Sequence, residues 1–252
     1  MVILKFIDPL LSEISKIIRN SFDTCNYIEI FPQIINSGKL NGLKFVYNNC
    51  IYTVAPDITL RLLNTNKKYF ANNPRIYYIS GSVDPYLGET LKAGLELIND
   101  NEFNSNIEII KIAMKTLKEL SINNYKIDIS LSYLYKKYSK TRDYIKKMDY
   151  NGTGNIDSKE AIIDLIDTGI SKNNIEFLNK ILKTVNDERI NIDFGTVRYF
   201  NYYDGLIFEI YNNNRFIAGG GNYKIKRMNA CGFSFNVDSI YNITKENLKV
   251  KK

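Results

Sequence analysis

The sequence has 252 residues, of which 44% are hydrophobic and 24% are charged, so the chain can bury a sizeable core and does not belong to the disordered class. Lys and Arg outnumber Asp and Glu by 34 to 27, giving a formal net charge of +7, and a surplus of this size is more typical of a solvated surface than of a nucleic-acid-binding one. No apolar run is long enough for a membrane span or a signal peptide, and we expect a cytoplasmic protein.

The residue types that are missing restrict the chemistry more than the averages do. The sequence contains no histidine, no tryptophan and only three cysteines, at Cys25, Cys50 and Cys231. A histidine-based acid–base or nucleophilic mechanism is therefore excluded, and neither a zinc site nor a disulfide framework is expected. Any chemistry would depend on carboxylates, lysines, tyrosines or backbone groups.

The first half of the sequence is predicted to begin with a helix and to continue mainly as strands. Asp8 and Pro9 are typical of a helix start, and apolar residues at helical spacing continue to Phe22. A second helix is expected after Pro56, ending near Pro74. Runs of β-branched and aromatic residues between turn signals predict strands at 26–35, 43–47, 50–54, 75–83 and 91–98.

The second half is predicted to be helical first and then to return to strands. An amphipathic helix at 106–120 precedes a strand at 125–131, and residues 132–185 have a helical pattern throughout. Further strands are predicted at 190–194, 205–211, 216–219 and 232–237. Long antiparallel strands with helices before and between them indicate an α+β fold. The sequence has neither a Gly-x-Gly-x-x-Gly turn nor a P-loop, so neither standard nucleotide-binding fold is expected.

Residues 197–223 contain the most specific pattern in the sequence. A stretch of the form Arg-x-x-x-Tyr-Tyr-x-Gly-x-x-Phe-Glu runs from Arg198 to Glu209, and Gly219-Gly220-Gly221-Asn222-Tyr223 follows it. This pattern resembles the histidine-binding core of the histidyl-tRNA synthetase family, in which such a strand precedes a Gly-Gly-x-Tyr turn.

Three earlier segments resemble motifs of the same family, in the same order. Residues 27–32 resemble its first motif, whose proline lies at a dimer interface, so the resemblance implies a homodimer formed around Pro32. Residues 55–59 resemble its Arg-Pro-(Glu/Asp)-x-Thr loop, and residues 77–96 resemble the hairpin of its second motif. The resemblance implies a single class II aminoacyl-tRNA synthetase-like domain over residues 1–252, an antiparallel sheet flanked by helices, with a helical insertion at about 132–187.

The residues at these positions suit free histidine, which offers an ammonium, a carboxylate and an imidazole. Asp57 and Thr59 are expected to accept from the ammonium, and Arg198 is expected to hold the carboxylate in a bidentate fork. Gly220 lets the backbone approach the ligand. The imidazole nitrogens are assigned to the polar side chains of Glu96, Tyr202, Tyr203 and Tyr223. The alternative is that the tyrosines are half-buried strand residues and that the glycines form a hairpin turn.

Arginines of the family's motifs are missing from this sequence, among them the two that hold the phosphates of ATP in adenylating members of the class. The second-motif arginine falls at or beside Asp84, the third motif has become Asn-Val-Asp-Ser-Ile at 236–240, and the arginine before Pro56 is Ala55. Lys92 replaces a glutamine. Without two charge-assisted contacts to phosphate, the chain would lose roughly 3–6 kcal/mol of ATP binding and transition-state stabilisation. We therefore expect an amino-acid pocket without an ATP site.

A histidine pocket of this kind is similar to that of a paralogue, the regulatory subunit of ATP phosphoribosyltransferase. The sequence ends shortly after the last predicted strand, so we expect no anticodon-binding domain. The resemblance implies a non-catalytic subunit that a short-form catalytic subunit needs at the first step of histidine biosynthesis. It also implies feedback inhibition with histidine as the effector, a hetero-oligomer with that catalytic subunit, and no cofactor. A truncated histidyl-adenylating enzyme or histidyl-tRNA synthetase is the alternative.

Residues 149–160 favour a different hypothesis, a calcium-binding module, because they match the calcium-binding loop of an EF-hand. Gly152 stands at the sixth position of that loop. The candidate calcium ligands are Asp149, Asn151, Thr153, Asp157 and Glu160. EF-hands normally pair, and the sequence has no second loop. In the simpler interpretation, Gly152 and Gly154 interrupt a helix, and Asp157 with Glu160 forms a capping box for the next one.

Overall fold

The computed structural model describes residues 8–37, 42–55, 57–63, 74–84, 88–98, 102–133, 172–193, 196, 198, 202–225 and 228–250. Over these ranges the chain has five helices and eleven strands, in keeping with the predicted α+β class. In chain order they are α1 (Pro9–Asp23), β1 (Ile28–Glu29), β2 (Ile35–Ser37), β3 (Leu43–Tyr47), β4 (Cys50–Val54), α2 (Ile58–Leu63), β5 (Arg75–Asp84), β6 (Gly88–Ile98), α3 (Glu102–Glu119), β7 (Lys126–Leu131), α4 (Lys172–Val185), β8 (Ile190–Ile192), β9 (Tyr203–Asn212), β10 (Arg215–Ile225), β11 (Met228–Asn236) and α5 (Val237–Val250).

The chain forms two compact units. Unit 1 comprises residues 1–98, 112–123 and 234–252, and unit 2 comprises residues 99–111 and 124–233. Helix α3 and strand β11 each contribute residues to both units. None of the helices that the structure describes is both long and apolar enough to cross a membrane.

The first helix of unit 1 begins where the sequence predicts, and its cap has a clear physical cause. The Asp8 carboxylate accepts a hydrogen bond from the backbone N–H of Leu10 at 2.9 Å, and Pro9 occupies the first turn. The inner face of the helix is apolar, and Phe22 packs edge-on against Tyr77 of β5 with ring centroids 5.4 Å apart. Tyr241 of α5 donates a hydrogen bond to Asp8, so α5 and the start of α1 are held together.

The predicted strand at 26–35 is wrong as a continuous element. The structure has only the short strands Ile28–Glu29 and Ile35–Ser37 in this region. β1 runs parallel to β5, and Ile30 still donates to the carbonyl of Tyr77 at 2.8 Å. Pro32 then has no N–H to give to a ladder, so the chain leaves the sheet and pairs again only as β2, with β4.

Two hairpins of unit 1 follow the prediction closely. β3 and β4 pair through a turn at Asn48 and Asn49, whose φ angles of 47° and 59° are those of a type I′ turn. β5 and β6 pair from Arg75 opposite Leu97 to Asp84 opposite Gly88, so β6 starts earlier than predicted. The predicted continuation of α2 falls on residues 64–73, which lie outside the described residues.

Unit 2 is built on the strand order β8-β7-β9-β10-β11. β7 runs parallel to β8 and antiparallel to β9, and the β9–β10 hairpin turns at Asn213 with a φ of 51°. β10 extends to Ile225, well beyond the predicted end at residue 219, and α3 starts at Glu102 rather than at residue 106. Of the helical pattern predicted for 132–185, the structure describes residues 132–133 and helix α4, and residues 134–171 lie outside the described part.

Glycine at position 220 is required by close packing between β10 and β11. A Cβ atom at Gly220 would overlap the carbonyl oxygen of Gly232 and would lie 2.5 Å from the Cβ of Phe233. Both neighbours are parts of a strand and cannot move aside without disturbing the ladder. By contrast, a Cβ atom at Gly81 in β5 would meet only a carboxylate oxygen of Glu89, at an ordinary 3.6 Å.

We therefore expect Gly220→Ala to lower the free energy of unfolding by about 1–3 kcal/mol or more, because overpacking forces backbone shifts. The matched control, Gly81→Ala, should change it by less than about 1 kcal/mol, since the site has room for a methyl group. Urea denaturation followed by circular dichroism measures both variants. Equal stability of the two alanine variants would contradict the packing argument.

Candidate functional site

Two of the residues predicted to bind histidine are in contact in unit 1. The hydroxyl of Thr59, in α2, donates a hydrogen bond to Oε1 of Glu96, in β6, at 2.9 Å. Glu96 is only 2% exposed. A carboxylate at such burial is stabilised by hydrogen-bond donors and by positive charge, so this pair is suited to contact a cationic or N–H-bearing ligand.

Asp57 stands at the start of α2 and has a structural role there. Its Oδ1 atom accepts a hydrogen bond from the backbone N–H of Leu60 at 2.7 Å, which is the geometry of a helix N-cap. The cap fixes the orientation of this carboxylate relative to Thr59, two residues later. The predicted ammonium-binding residues are therefore held by the first turn of one short helix.

Arg61 supports the segment that leads into α2, and no motif in the sequence indicated this role. Its side chain is fully buried; Nε donates to the carbonyl of Ala55 at 2.7 Å and Nη1 donates to the carbonyl of Gly81 at 2.9 Å. Burial lowers the pKa of the guanidinium, and the nearby Asp57 opposes that change. Arg61 thus ties the segment before Asp57 to β5 and fixes the base of the predicted ammonium site.

Four residues of the predicted histidine site lie in unit 2, and they form what we call the arginine–tyrosine cluster: Arg198, Tyr202, Tyr203 and Tyr223. The rings of Tyr202 and Tyr203 are 4.8 Å apart, and the ring of Tyr223 meets that of Tyr202 edge-on at 5.7 Å. Nη2 of Arg198 donates to the hydroxyl of Tyr203 at 3.4 Å. Tyr203 and Tyr223 are also buried strand residues, so the structural interpretation of the tyrosines holds alongside their clustering.

Arg198 has a strong partner that the sequence motif contains but does not explain. Its Nη1 atom donates to Oε1 of Glu209 at 2.9 Å, and the two side chains are 17% and 13% exposed. Burial disfavours the charged guanidinium, but Tyr203 and Glu209 outweigh burial and raise the pKa of Arg198 further. The arginine is therefore a permanent cation in this cluster.

The two neighbouring glycines differ in what they accommodate. Gly219 lies under the guanidinium of Arg198, where a Cβ atom would overlap Nη1 and come within 2.8 Å of Cζ. Gly220, the glycine predicted to face the ligand, instead has its close approach to Gly232 and Phe233 of β11. Gly219 thus leaves space for the Arg198 side chain, and Gly220 leaves space for the close approach of β11.

Further polar residues adjoin Glu209 on the same strands. The hydroxyl of Tyr211 donates to Oε2 of Glu209 at 2.5 Å, and Asp128 of β7 stands opposite Glu209 in the strand register. Burial first, and then the nearby Asp193, raise the pKa of Asp128 to about 6. Burial and Glu209 raise the pKa of Tyr211. Tyr211 follows Glu209 by two residues, and this strand periodicity is the only sequence signal that links them.

Other groups occupy the positions of the missing phosphate-binding arginines. Ser239 stands where the third-motif arginine is expected, and its backbone N–H donates to Oδ1 of Asn236 at 3.1 Å. The preceding Asp238 accepts from the backbone N–H of Leu91 at 2.9 Å. Asp84 closes β5 opposite Gly88. The segment from 236 to 240 is therefore used to begin α5 and to anchor it to β6.

The candidate calcium ligands at 149–160 lie outside the described residues. Within the part of the chain that the structure covers, no group of three or more Cys, Asp or Glu side chains is arranged to hold a metal ion. Calcium binding by the EF-hand-like loop therefore stays a prediction from the sequence.

The raised pKa of Asp128 makes the stability of the fold depend on pH at this residue. The folded state keeps the Asp128 proton up to about pH 6, whereas the unfolded chain loses it near 3.8. This contribution to stability is full below the unfolded value and is lost as the pH rises through 6. Asp128→Asn should therefore be more stable than wild type at pH 7.5, by about 1–2 kcal/mol after allowance for partial exposure.

The gain from Asp128→Asn should shrink at pH 5, and urea denaturation at the two pH values measures it. Asp187→Asn is the matched control, because the hydrogen bond from Arg189 lowers the pKa of Asp187. Loss of that ionised partner should destabilise the protein at pH 7.5. A gain for Asp128→Asn that does not change with pH would contradict the assignment.

Comparison with known proteins agrees with the motifs. A family model described as histidyl-tRNA synthetase matches residues 138–240. A histidine–tRNA ligase of Methanococcus vannielii is 25% identical in an alignment that covers 90% of this chain and 70% of the ligase. An ATP phosphoribosyltransferase regulatory subunit of Aquifex aeolicus is also 25% identical, over 70% of this chain and 53% of that protein.

Solved structures share the fold over almost the whole chain. A chain from the ATP phosphoribosyltransferase complex of Thermotoga maritima superposes with a TM-score of 0.70 at 19% identity, covering 91% of this chain and 98% of the other. At this identity the likeness establishes the fold, and it confirms the predicted class II synthetase-like architecture. The chain has the class II aminoacyl-tRNA synthetase fold, and the proteins that it is similar to include both histidine–tRNA ligases and regulatory subunits of ATP phosphoribosyltransferase.

Proposed function

We propose that this chain is a non-catalytic regulatory subunit that binds histidine and activates a short-form ATP phosphoribosyltransferase, at the first step of histidine biosynthesis. One contrast carries the proposal. The arginine–tyrosine cluster of the motif that resembles a histidine-binding core is present, while Ser239 and Asp84 stand at or beside the positions of the two arginines expected to hold ATP. Relatives named as regulatory subunits of this enzyme support it.

Each of the two groups of polar residues, taken by itself, offers chemistry that suits a part of histidine. In unit 2, the buried cation of Arg198 suits a carboxylate, and the tyrosine hydroxyls suit ring nitrogens. In unit 1, the Thr59–Glu96 pair and the carboxylate of Asp57 offer acceptors for an ammonium and for an imidazole N–H. Within each unit, the residues would select for the part of histidine that they suit, because a polar site discriminates by its hydrogen-bonding groups.

The third-motif segment is poorly suited to a triphosphate. The Asp238 carboxylate accepts a hydrogen bond from the backbone N–H of Leu91. Asn236 caps α5 by accepting from the backbone N–H of Ser239, the residue at the position of the expected arginine. An anion and a neutral serine at this point repel, or fail to neutralise, the developing charge of an adenylation reaction. We therefore propose no adenylation step for this chain.

The proposed partner is the catalytic subunit of the same enzyme. The Thermotoga maritima structure with the matching chain is an ATP phosphoribosyltransferase complex, and a regulatory chain of this kind acts through a partner that carries the chemistry. By this proposal, binding of histidine changes the activity of the partner, because a ligand that binds two states unequally shifts the balance between them.

Mixing the chain with a short-form ATP phosphoribosyltransferase should produce activity that the catalytic subunit alone lacks, and histidine should then reduce it. Arg198→Ala should keep the activation and lose most of the response to histidine, because its carboxylate contact is removed. Histidine-dependent exchange between ATP and pyrophosphate should stay at background. Product formation and exchange assays measure these outcomes.

Each result has a distinct meaning for the proposed function. A catalytic subunit that neither binds this chain nor gains activity would exclude the regulatory assignment and leave the fold unaffected. Exchange of pyrophosphate above background would favour the truncated histidyl-adenylating enzyme instead.

We also propose that the chain forms a homodimer through the region of the first motif. Pro32 itself is buried, but the described part of unit 1 exposes an unusual set of large apolar side chains on both sides of it. The exposed apolar residues of this region are Ile28, Phe31, Ile34, Ile35, Leu43, Phe45, Val46, Tyr47 and Ile51. Large apolar side chains exposed in such number within one region are typical of protein–protein interfaces.

A charge in this surface should weaken the dimer. Val46→Asp, at a side chain that is 71% exposed, is expected to shift the sedimentation coefficient of the protein from that of a dimer to that of a monomer. Leu248→Asp is the matched control, since Leu248 is 50% exposed on α5, away from this sequence region, and should leave the dimer unchanged. A wild-type protein that sediments as a monomer at micromolar concentration would refute the dimer.

A further inference from the structure

We propose that Glu209 and Tyr211 are positioning residues: they fix the guanidinium of Arg198 by its Nη1 atom, so that its Nε–Nη2 edge receives the carboxylate of the amino-acid ligand. This inference rests on the proposed function, because it concerns how the same cluster recognises histidine. It adds two residues to which the sequence motif gives no role.

The three guanidinium nitrogens of Arg198 differ in how strongly they are hydrogen-bonded. Nη1 donates to Glu209 at 2.9 Å, and among the described residues Nη2 makes one long contact, of 3.4 Å to the hydroxyl of Tyr203. Nε is buried and has no hydrogen-bond partner among the residues that the structure describes. Nε and Nη2 form one edge of the planar guanidinium, and that edge matches the two oxygens of a carboxylate.

The unpaired Nε atom is a second observation that points to a ligand. Buried donors nearly always have an acceptor, and each exception calls for an explanation. A carboxylate that approaches the Nε–Nη2 edge side-on would supply the missing acceptor and would replace the long contact to Tyr203. Glu209 cannot do so while its Oε1 atom is held at Nη1.

Glu209 is itself fixed at both oxygens. Oε1 accepts from Arg198, and Oε2 accepts from the hydroxyl of Tyr211 at 2.5 Å. The ring of Tyr211 packs edge-on against Phe216 at 5.7 Å, and the guanidinium carbon of Arg198 lies 5.8 Å from the same ring. Phe216 therefore flanks both the arginine and the tyrosine that anchors its partner.

The backbone of β10 at Gly219 also helps to position the Arg198 side chain. Gly219 is the cross-strand neighbour of Glu209 and leaves space for the guanidinium to lie on β10. Glu209 on β9 thus fixes the guanidinium through Nη1, and the missing side chain at Gly219 lets the guanidinium lie directly against β10. Rigid placement of this kind lowers the entropy that a flexible arginine would lose when a ligand binds.

The test compares histidine with histidinol, which has a hydroxymethyl group in place of the carboxylate. Calorimetry on the full chain should show that wild type binds histidine more tightly than histidinol. Glu209→Gln should weaken histidine binding by about tenfold or more, while histidinol binding changes by less than about twofold. Tyr211→Phe should lower the same histidine-to-histidinol ratio by a smaller factor of roughly 3.

Two substitutions serve as matched controls in unit 2. Asp187→Asn removes the carboxylate from a different arginine pair, that of Asp187 with Arg189. Tyr125→Phe removes a buried hydroxyl that has no hydrogen-bond partner in the described part of the chain. Both should leave the histidine-to-histidinol ratio at its wild-type value, because neither residue contacts Arg198 or Glu209 in the described structure.

The outcomes separate this inference from the function on which it rests. If wild type binds neither ligand, the proposed histidine-binding function fails. If wild type binds histidine but Glu209→Gln weakens both ligands equally, Glu209 is only structural and the inference is overturned. Tighter histidine binding by Glu209→Gln would also overturn it, since Glu209 would then compete with the ligand. If Glu209→Gln does not fold, the inference can still be tested with Tyr211→Phe, which keeps the aromatic ring and should lower the histidine-to-histidinol ratio.

Discussion

The ion pair between Arg198 and Glu209 is the interaction on which the candidate site of unit 2 depends. A guanidinium at this burial requires a compensating charge, and Glu209 supplies it from the adjacent strand at 2.9 Å. The requirement extends outward, because the arginine needs a residue without a side chain at Gly219 and the carboxylate needs the hydroxyl of Tyr211. Arg198, Glu209 and Gly219, which lie in the motif that resembles a histidine-binding core, are thus explained by one electrostatic interaction.

The corresponding part of unit 1 depends on backbone groups rather than on an ion pair. Arg61 uses its guanidinium to join two backbone carbonyls, and Asp57 caps the short helix that carries Thr59. These contacts place the Thr59 hydroxyl within hydrogen-bond distance of Glu96. In the same unit, Asn236 and Asp238 have a different role, because they begin helix α5 and anchor it to β6.

Local sequence signals located most of the described elements, and they failed where tertiary pairing decides. The cap at Asp8 and the turn at Asn48 and Asn49 are short-range effects, and both appear as predicted. The strand predicted at 26–35 is interrupted, because its composition favours a strand but Pro32 removes a donor and the two halves pair with different strands. Propensity carries no information on which neighbour a strand will find.

The sequence alone determined the class of fold, the ordered motifs of a histidyl-tRNA synthetase-like chain, and the absence of arginines at the expected phosphate positions. Only the tertiary structure showed that Arg198 is held by Glu209 and Tyr211, that Arg61 supports the loop before Asp57, and that Gly219 and Gly220 serve different neighbours. The physical reason is that residue types and spacing are local properties, whereas the partner of a buried charge and the space above a glycine are set by strands and loops that the fold brings together.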